Sequence, residues 1–259
     1  MPACKDCQWR DGDVCRVHER AKRELMRPLP PPPTGACAVA IVDSYLPLIR
    51  PGMSVLEIGC GTWSKIKDHC QMIGSDYHGL DVLSEYYGIP TIATRLENLA
   101  ELSYSDESFD IVVGNQTMEH WGEHGCTLEW GLYQCFRVTK IDGLVLLNVP
   151  IHFHGTKEFV HGRLDVMRDL FSKFSNSATM ERWGSPTDPL PPYYPHPDYE
   201  ALRGKPAYVL DIRASRDRAQ LPRASNALGF HGKLAQIFHY SASYNSYRLM
   251  KKLRGLRSV

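Results

Sequence analysis

Residues 55–61 combine a short apolar run with a glycine turn that would let a ligand lie against the backbone. The run Val-Leu-Glu-Ile is followed at once by Gly-Cys-Gly. Gly59 and Gly61 can adopt positive φ angles, and they leave room for a bound group where a strand turns into a helix. Asp81 follows about twenty residues after the glycines, at the spacing of an acidic residue that accepts hydrogen bonds from ribose hydroxyls. These residues predict a nucleoside-containing ligand.

The glycine turn by itself is also compatible with an ordinary strand-to-helix connection that binds nothing. A dinucleotide site would require a third glycine at position 64, and the chain has Ser64 there. That third glycine serves the close helix–strand packing of a pyrophosphate-binding unit. Its absence argues against a dinucleotide and favours a smaller cofactor.

Alternating strand-like and helix-like segments must position this turn. Helices are predicted at Ala36–Ile49, Lys65–Met72, Leu128–Val138 and Leu164–Phe174. Strands are predicted at Ser54–Ile58, Tyr77–Leu80, Thr91–Thr94, Phe109–Gly114, Leu144–Val149, Ala178–Trp183 and Ala207–Ile212. Short apolar strands separated by helices predict an α/β fold with a doubly wound, mostly parallel sheet of seven strands.

The order of these segments resembles the class I S-adenosylmethionine-dependent methyltransferases. Val55–Thr62 resembles their motif I, and Asp81 stands at the acidic position of motif II. Ser108–His120 resembles motif IV of the small-molecule branch, and Arg137–Gly143 resembles the turn before the fifth strand. The resemblance covers residues 36–150 and implies a Rossmann-like fold that binds S-adenosylmethionine.

The resemblance also implies a set of cofactor-binding residues. Asn98 stands where the family usually has an aspartate for the adenine amine, so Glu97 or the backbone of Leu99 could replace that contact. Asn115 and Gln116 are expected to line the floor near the methyl group. The full expected set is Glu57, Gly59, Cys60, Gly61, Asp81, Glu97, Asn98, Leu99, Asn115 and Gln116.

Three histidines are candidates for the base that a hydroxyl acceptor would need. A hydroxyl must lose its proton as it is methylated, and histidine can take up a proton near neutral pH. His120 follows the fourth predicted strand, and His152 and His154 follow the fifth. The i, i+2 spacing would place His152 and His154 on one side of an extended segment. The alternative is that these histidines only shape their loops.

The motif IV segment also excludes a class of substrate. Enzymes that methylate nucleic-acid amines usually carry an Asn/Asp/Ser-Pro-Pro-Tyr/Phe sequence at this position. Residues 115–118 read Asn-Gln-Thr-Met and contain no proline. N-methylation of DNA or RNA bases is therefore disfavoured.

Residues 186–200 form an insertion rich in proline and aromatic residues. Tyr193, Tyr194 and His196 are its candidate substrate contacts, because aromatic faces suit sugars and planar molecules. Proline rigidity would lower the cost of ordering such a lid. A surface loop that packs its own rings is the alternative.

The first 27 residues contain Cys4-x-x-Cys7 followed by Cys15-x-x-His18. Two such pairs match a structural zinc site with three cysteines and one histidine, which leaves no open coordination position for catalysis. An iron–sulfur cluster and a disordered tail are the alternatives. A stiff polyproline linker, residues 28–35, separates this segment from the methyltransferase domain at 36–259.

The overall composition limits the choice of partners. Thirty Lys and Arg against 29 Asp and Glu give a formal charge of +1, unlike the basic excess of a dedicated nucleic-acid binder. Residues 233–259 are predicted as a basic helix whose charges either complement its dipole or attract an anionic acceptor or membrane surface. We find no apolar run that could span a membrane and no signal peptide, and we expect a cytoplasmic protein.

Three functions remain open from the sequence. The first is O-methylation of a sugar or related small metabolite, because residues 244–250 resemble the endings of methyltransferases in bacterial surface-polysaccharide pathways. The second is methylation of a protein or RNA, with the zinc segment as the recognition element. The third is a non-catalytic, methyltransferase-like partner protein.

Overall fold

The computed structural model describes residues 10–11, 14–15, 38–86, 88–152, 157–183 and 208–226. The predicted lid at 186–200 and the basic segment at 233–259 lie outside these residues. So do His154, Cys4, Cys7 and His18, and only the backbone of Cys15 is described.

The described chain alternates strands and helices in nearly the predicted order. The helices are α1 (Ala38–Tyr45), α2 (Lys65–Ile73), α3 (Leu128–Val138), α4 (Lys157–Val160) and α5 (Leu164–Ser172). The strands are β1 (Arg10–Asp11), β2 (Val14–Cys15), β3 (Ser54–Ile58), β4 (Asp76–Asp81), β5 (Glu85–Tyr86), β6 (Ile89–Pro90), β7 (Arg95–Leu96), β8 (Phe109–Asn115), β9 (Thr139–Ile151), β10 (Thr179–Trp183) and β11 (Tyr208–Ser215). Short 3-10 helices lie at Leu46–Leu48, Leu99–Glu101 and Met118–His124.

Seven strands form one mixed sheet in the order β10-β11-β9-β8-β3-β4-β7. Neighbouring strands pair in parallel from β7 through β4, β3 and β8 to β9. By contrast, β11 pairs antiparallel with both β9 and β10. The prediction of a mostly parallel, seven-stranded sheet is confirmed. The chain proceeds outward from β3 through β4 to β7 and then returns to β8 on the other side. Ligands of open α/β sheets bind at such a reversal, outside the carboxyl ends of the strands.

Apolar side chains cover both faces of the sheet. One face packs Tyr45 of α1 and Ile66 of α2 against Val55, Ile111 and Leu146 of the sheet. The other face packs α3 and α5 against alternate residues of the same strands. Because successive strand residues point to opposite faces, both faces of β3, β8 and β9 are buried, as expected for a layer between two helical layers.

The helix termini match local sequence signals. Ser64 caps α2 by accepting hydrogen bonds from the backbone nitrogens of Ile66 and Lys67. Gly74 ends α2 in the left-handed conformation that glycine adopts without strain. The hydroxyl of Thr127 caps α3 in the same manner.

Two sequence predictions about local structure were wrong. Residues 91–94 are not a strand, because Thr94 only touches the edge of β4 through its bonds to Gly79. The third parallel strand is instead β7. Both of its residues are exposed, so its sequence shows no apolar pattern from which a strand could be predicted. The first helix ends at Tyr45 and continues as a 3-10 turn containing Pro47.

The cysteines of the sheet domain behave as predicted. Cys60, Cys70, Cys126 and Cys135 are buried free thiols. In that setting they act as small apolar side chains rather than as a disulfide framework.

Candidate functional site

The glycine loop after β3 lies across the end of β4. The backbone nitrogens of Gly59 and Cys60 both donate to the carbonyl of Leu80, at 2.7 and 3.1 Å. Gly59 and Gly61 have φ angles of 68° and 60°, so both predicted left-handed positions are confirmed. Glycine adopts these angles without the strain that a side chain would add.

The two glycines face different surroundings. A Cβ atom at Gly59 would overlap the Cγ2 of Thr117 and lie 3.1 Å from its Cβ. A Cβ at Gly61 would meet no atom within 4 Å. Gly59 therefore allows the loop to close against the turn after β8, whereas Gly61 borders open space beyond the carboxyl ends of the strands.

Asp81, the last residue of β4, is buried beside the loop. One carboxylate oxygen accepts a hydrogen bond from the nitrogen of Gly61 at 3.0 Å. The other accepts from the nitrogen of Leu83 and the hydroxyl of Tyr86, both at 3.0 Å. A carboxylate offers about four acceptor positions, so Asp81 can hold the loop and still accept a hydroxyl from a ligand.

Glu57 is buried under the loop rather than exposed at its mouth. Its Oε2 accepts a hydrogen bond from the hydroxyl of Tyr77 at 2.7 Å, and it is also hydrogen-bonded to Ser64. Burial raises the pKa of Glu57 to about 7, although these two hydrogen bonds oppose the rise. Glu57 thus ties β4 and the start of α2 to the loop, and its contact with the cofactor stays a prediction.

The turn after β8 also places polar groups at the carboxyl ends of the strands. Asn115 ends the strand, and Gln116 follows with a φ of 55°. Oδ1 of Asn115 and Oγ1 of Thr117 are buried without a hydrogen-bond partner among the described residues. Buried polar atoms are nearly always paired, and an exception can mark a ligand site.

The segment expected to contact adenine is used differently. Oδ1 of Asn98 accepts from the nitrogen of Ala100, and its Nδ2 donates to the carbonyl of His124 at 2.6 Å. Glu97 accepts hydrogen bonds from the nitrogen and hydroxyl of Ser103, and the Leu99 side chain is buried in the core. Asn98 therefore holds two loops together, and its contact with adenine stays a prediction.

His124 belongs to this edge and was missed in the sequence. It is the last residue of the 3-10 helix after β8, and it lies within electrostatic range of Asp81. Burial lowers the pKa of His124, and Glu123 only partly offsets the effect. The neutral form of the imidazole is therefore favoured. No sequence motif marks His124.

His120 lies on the same 3-10 helix, and its Nδ1 is 2.9 Å from Oε1 of Glu123. The buried Glu119 carboxylate lies 3.8 Å from its Nε2. The sequence prediction is confirmed in placing His120 beyond the end of the fourth parallel strand.

His152 does not lie on an extended segment, contrary to the expectation from its spacing with His154. Its φ is 59°, so the chain turns as β9 ends. Its ring meets Tyr208 edge-on with centroids 5.8 Å apart, and a Cβ at Gly162 would overlap it. The prediction assumed that side chains alternate along an extended strand, and a left-handed residue at position 152 interrupts that alternation.

The arrangement fits a small nucleoside-containing cofactor. Gly59 and Gly61 allow close approach to the backbone, Asp81 supplies an acceptor for hydroxyls, and Asn115 and Thr117 supply unpaired buried polar atoms. Within the part of the chain that the structure describes, no group of His, Cys, Asp and Glu side chains is placed to hold a metal ion. No helix there is long and apolar enough to cross a membrane.

Comparisons with known proteins agree with the site. Residues 56–147 match the family described as a methyltransferase domain. Over 104 residues the chain is 36% identical to a protein of Mycolicibacterium smegmatis named "Probable S-adenosylmethionine-dependent methyltransferase". That match spans 38% of this chain and 38% of the relative. The predicted methyltransferase domain is thus matched over residues 56–147, and the chain spans about two fifths of the length of the curated relative.

Solved structures of similar shape have low sequence identity. The YcgJ protein from Bacillus subtilis is 15% identical with a TM-score of 0.49, over 70% of this chain and 100% of that one. A phosphoethanolamine N-methyltransferase 2 from Haemonchus contortus, in complex with S-adenosyl-L-methionine, is 17% identical with a TM-score of 0.47. This second match covers 70% of the present chain and 52% of the other.

Proposed function

We propose that the protein is an S-adenosylmethionine-dependent methyltransferase that methylates an oxygen of a sugar or related small metabolite. The observation that carries the cofactor assignment is the closure of the Gly59–Gly61 loop on Asp81 at the reversal point of the sheet. The cofactor contributes an electrophilic methyl group on a sulfonium. Such a transfer depends mainly on alignment of the two reactants, so the rigidity of the loop is itself part of the activity.

The side chains of the edge divide into two groups. Gly59, Gly61, Asp81 and His124 would hold the nucleoside part, with the Asp81 carboxylate accepting ribose hydroxyls. His120 or His152 would take the proton from the acceptor hydroxyl, and His154, Tyr193, Tyr194 and His196 remain proposed contacts on the acceptor side. Residues 115–118 lack the proline-containing motif of the nucleic-acid amine methyltransferases, which disfavours base N-methylation, and the sugar acceptor is proposed from the resemblance of residues 244–250.

Calorimetry with S-adenosylmethionine and the Asp81→Ala variant tests the cofactor assignment. We expect the wild-type protein to bind and the variant to bind about 10–100-fold more weakly, because hydrogen bonds to a charged group contribute about 1.5–3 kcal/mol. Tyr86→Phe is the matched control, because it removes one hydroxyl bonded to Asp81 and keeps the carboxylate. Absence of wild-type binding would exclude the enzyme and leave the non-catalytic alternative.

Incubation with cofactor labelled at the methyl group and a fractionated cell extract tests the acceptor. We expect the label in glycan or small-metabolite fractions. Label in protein or RNA would refute the sugar acceptor and favour the macromolecular alternative.

We also propose that Cys4, Cys7, Cys15 and His18 bind a structural zinc ion. The described backbone supports this proposal, since Arg10–Asp11 pairs antiparallel with Val14–Cys15. This pairing places Cys15 opposite Arg10, three residues after Cys7, so the two ligand pairs could share one ion.

Metal analysis of the purified protein tests the zinc proposal. We expect about one zinc per chain, as a tetrahedral four-ligand site requires, and loss of zinc in Cys7→Ser. Cys70→Ala, which removes a buried free thiol of the sheet domain, is expected to retain the metal. An iron content with visible absorbance would replace zinc by an iron–sulfur cluster, and a metal-free wild type would refute both.

A further inference from the structure

Gln116 carries a backbone conformation that its side chain does not favour. Its φ of 55° lies in the left-handed region, immediately after the end of β8. Non-glycine residues seldom adopt this region, and such residues persist only where the surroundings hold them. Some other part of the molecule must therefore fix Gln116 at the cofactor edge.

Asn148 of β9 supplies that restraint twice. Its carbonyl accepts a hydrogen bond from the backbone nitrogen of Gln116, at 3.0 Å. Its side-chain Oδ1 accepts another from Nε2 of Gln116, also at 3.0 Å. Asn148 is fully buried and lies directly opposite Asn115 in the ladder. Both the backbone and the side chain of Gln116 are thus bound by one residue of the neighbouring strand.

Asn148 is itself set within a buried polar row under α1. Its ladder partner on the other side is Asp211 of β11. The Tyr45 hydroxyl donates to Oδ1 of Asp211 at 2.6 Å and lies beside the Asn148 amide. Arg213 binds the second oxygen of Asp211 at 2.9 Å, which compensates its buried charge.

We propose that Asn148 is a positioning residue that holds Gln116 in its left-handed conformation and thereby sets the affinity for the cofactor. The inference rests on the proposed function, since it assumes that Gln116 borders the bound cofactor. Asn148 acts from the next strand, through its two bonds to Gln116. The Asn148 Nδ2 is buried and has no hydrogen-bond partner among the described residues, so the side chain is engaged through its Oδ1.

Calorimetry with S-adenosylhomocysteine on Asn148→Ala tests the proposal, at a temperature where every variant is folded. We expect roughly tenfold weaker binding, the size of one lost hydrogen bond. Thr139→Val is the matched control, because Thr139 is buried at the far end of the same strand and its hydroxyl bonds the Cys135 carbonyl at 2.7 Å. The control should lose stability and retain wild-type affinity.

The outcomes separate the two proposals. If the wild type does not bind the probe, the proposed function fails and this inference fails with it. If the wild type binds and Asn148→Ala binds equally well, or if Thr139→Val weakens binding to the same extent, only the inference is overturned. Should Asn148→Ala not fold, Asn148→Ser replaces it. The serine side chain is too short to keep the bond to Nε2 of Gln116, and unchanged affinity in this variant would also overturn the inference.

Discussion

Gly59→Ala is expected to weaken S-adenosylmethionine binding by about 100-fold or more, the largest effect of any single substitution in the loop. A left-handed φ of 68° strains alanine, and such strain costs about 1–3 kcal/mol. The new Cβ would also overlap the Cγ2 of Thr117, so the loop and the turn after β8 must separate. Each 1.4 kcal/mol corresponds to about a tenfold change in affinity. Calorimetry with the cofactor measures the loss.

Gly52→Ala is the matched control for backbone strain. Gly52 has a φ of 79° and its Cβ would meet no atom within 4 Å. It lies before β3, at the opposite edge of the sheet from the loop. We expect Gly52→Ala to lose stability and to bind the cofactor like the wild type.

Thr117→Ser separates the overlap from the strain. The serine lacks Cγ2 and keeps the hydroxyl, so Gly59→Ala combined with Thr117→Ser should recover a large part of the lost affinity. Thr117→Ser alone should bind almost normally. If the double variant binds no better than Gly59→Ala, the contact between the two turns does not determine the loop geometry.

The free energy of unfolding is expected to fall by about 2.5 kcal/mol between pH 5 and pH 8 because of Glu57. In the unfolded chain Glu57 has a pKa of 4.5, and in the folded protein burial raises its pKa to about 7. Between these values the folded state holds more protons than the unfolded state, so raising the pH favours unfolding. Each pH unit of difference is worth about 1.36 kcal/mol. Urea unfolding at several pH values measures the change.

Glu57→Gln should remove this pH dependence, because an amide of nearly the same shape does not ionise. It should therefore gain stability relative to the wild type above pH 7 and gain little at pH 5. Glu101→Gln is the control, since Glu101 is exposed and lies outside the loop. A wild type whose stability is flat over this range, or a Glu57→Gln variant with the same slope, would contradict the buried, protonated carboxyl.

Local sequence was sufficient for the elements with strong periodic or capping signals. The predicted bounds of β3 and α3 agree with the structure, since apolar runs and a threonine cap mark them. The prediction of a strand at residues 91–94 was wrong. The actual edge strand, β7, has only two residues, and both are exposed, so no burial pattern marks it in the sequence. The prediction that His152 lies on an extended segment was wrong, because its φ is positive and the chain turns there.

The sequence by itself determined the α/β order, the glycine loop, the acidic residue at the end of β4 and the methyltransferase resemblance. These depend on residue types at short spacings, and the backbone requirements of a turn or a strand are local. The tertiary structure decided which groups the loop meets. Asp81 binds the nitrogen of Gly61, and Thr117 requires a glycine at position 59.

The same holds for the support of the site. Tyr77 and Ser64 both contact Glu57. Asn148 binds Gln116. These residues meet because of how the strands align in the sheet and not because they are close in sequence. A shift of one residue in register would turn each of these side chains to the other face of the sheet. Only the packing of the two apolar faces fixes that register, so these contacts could not be predicted from residue spacing.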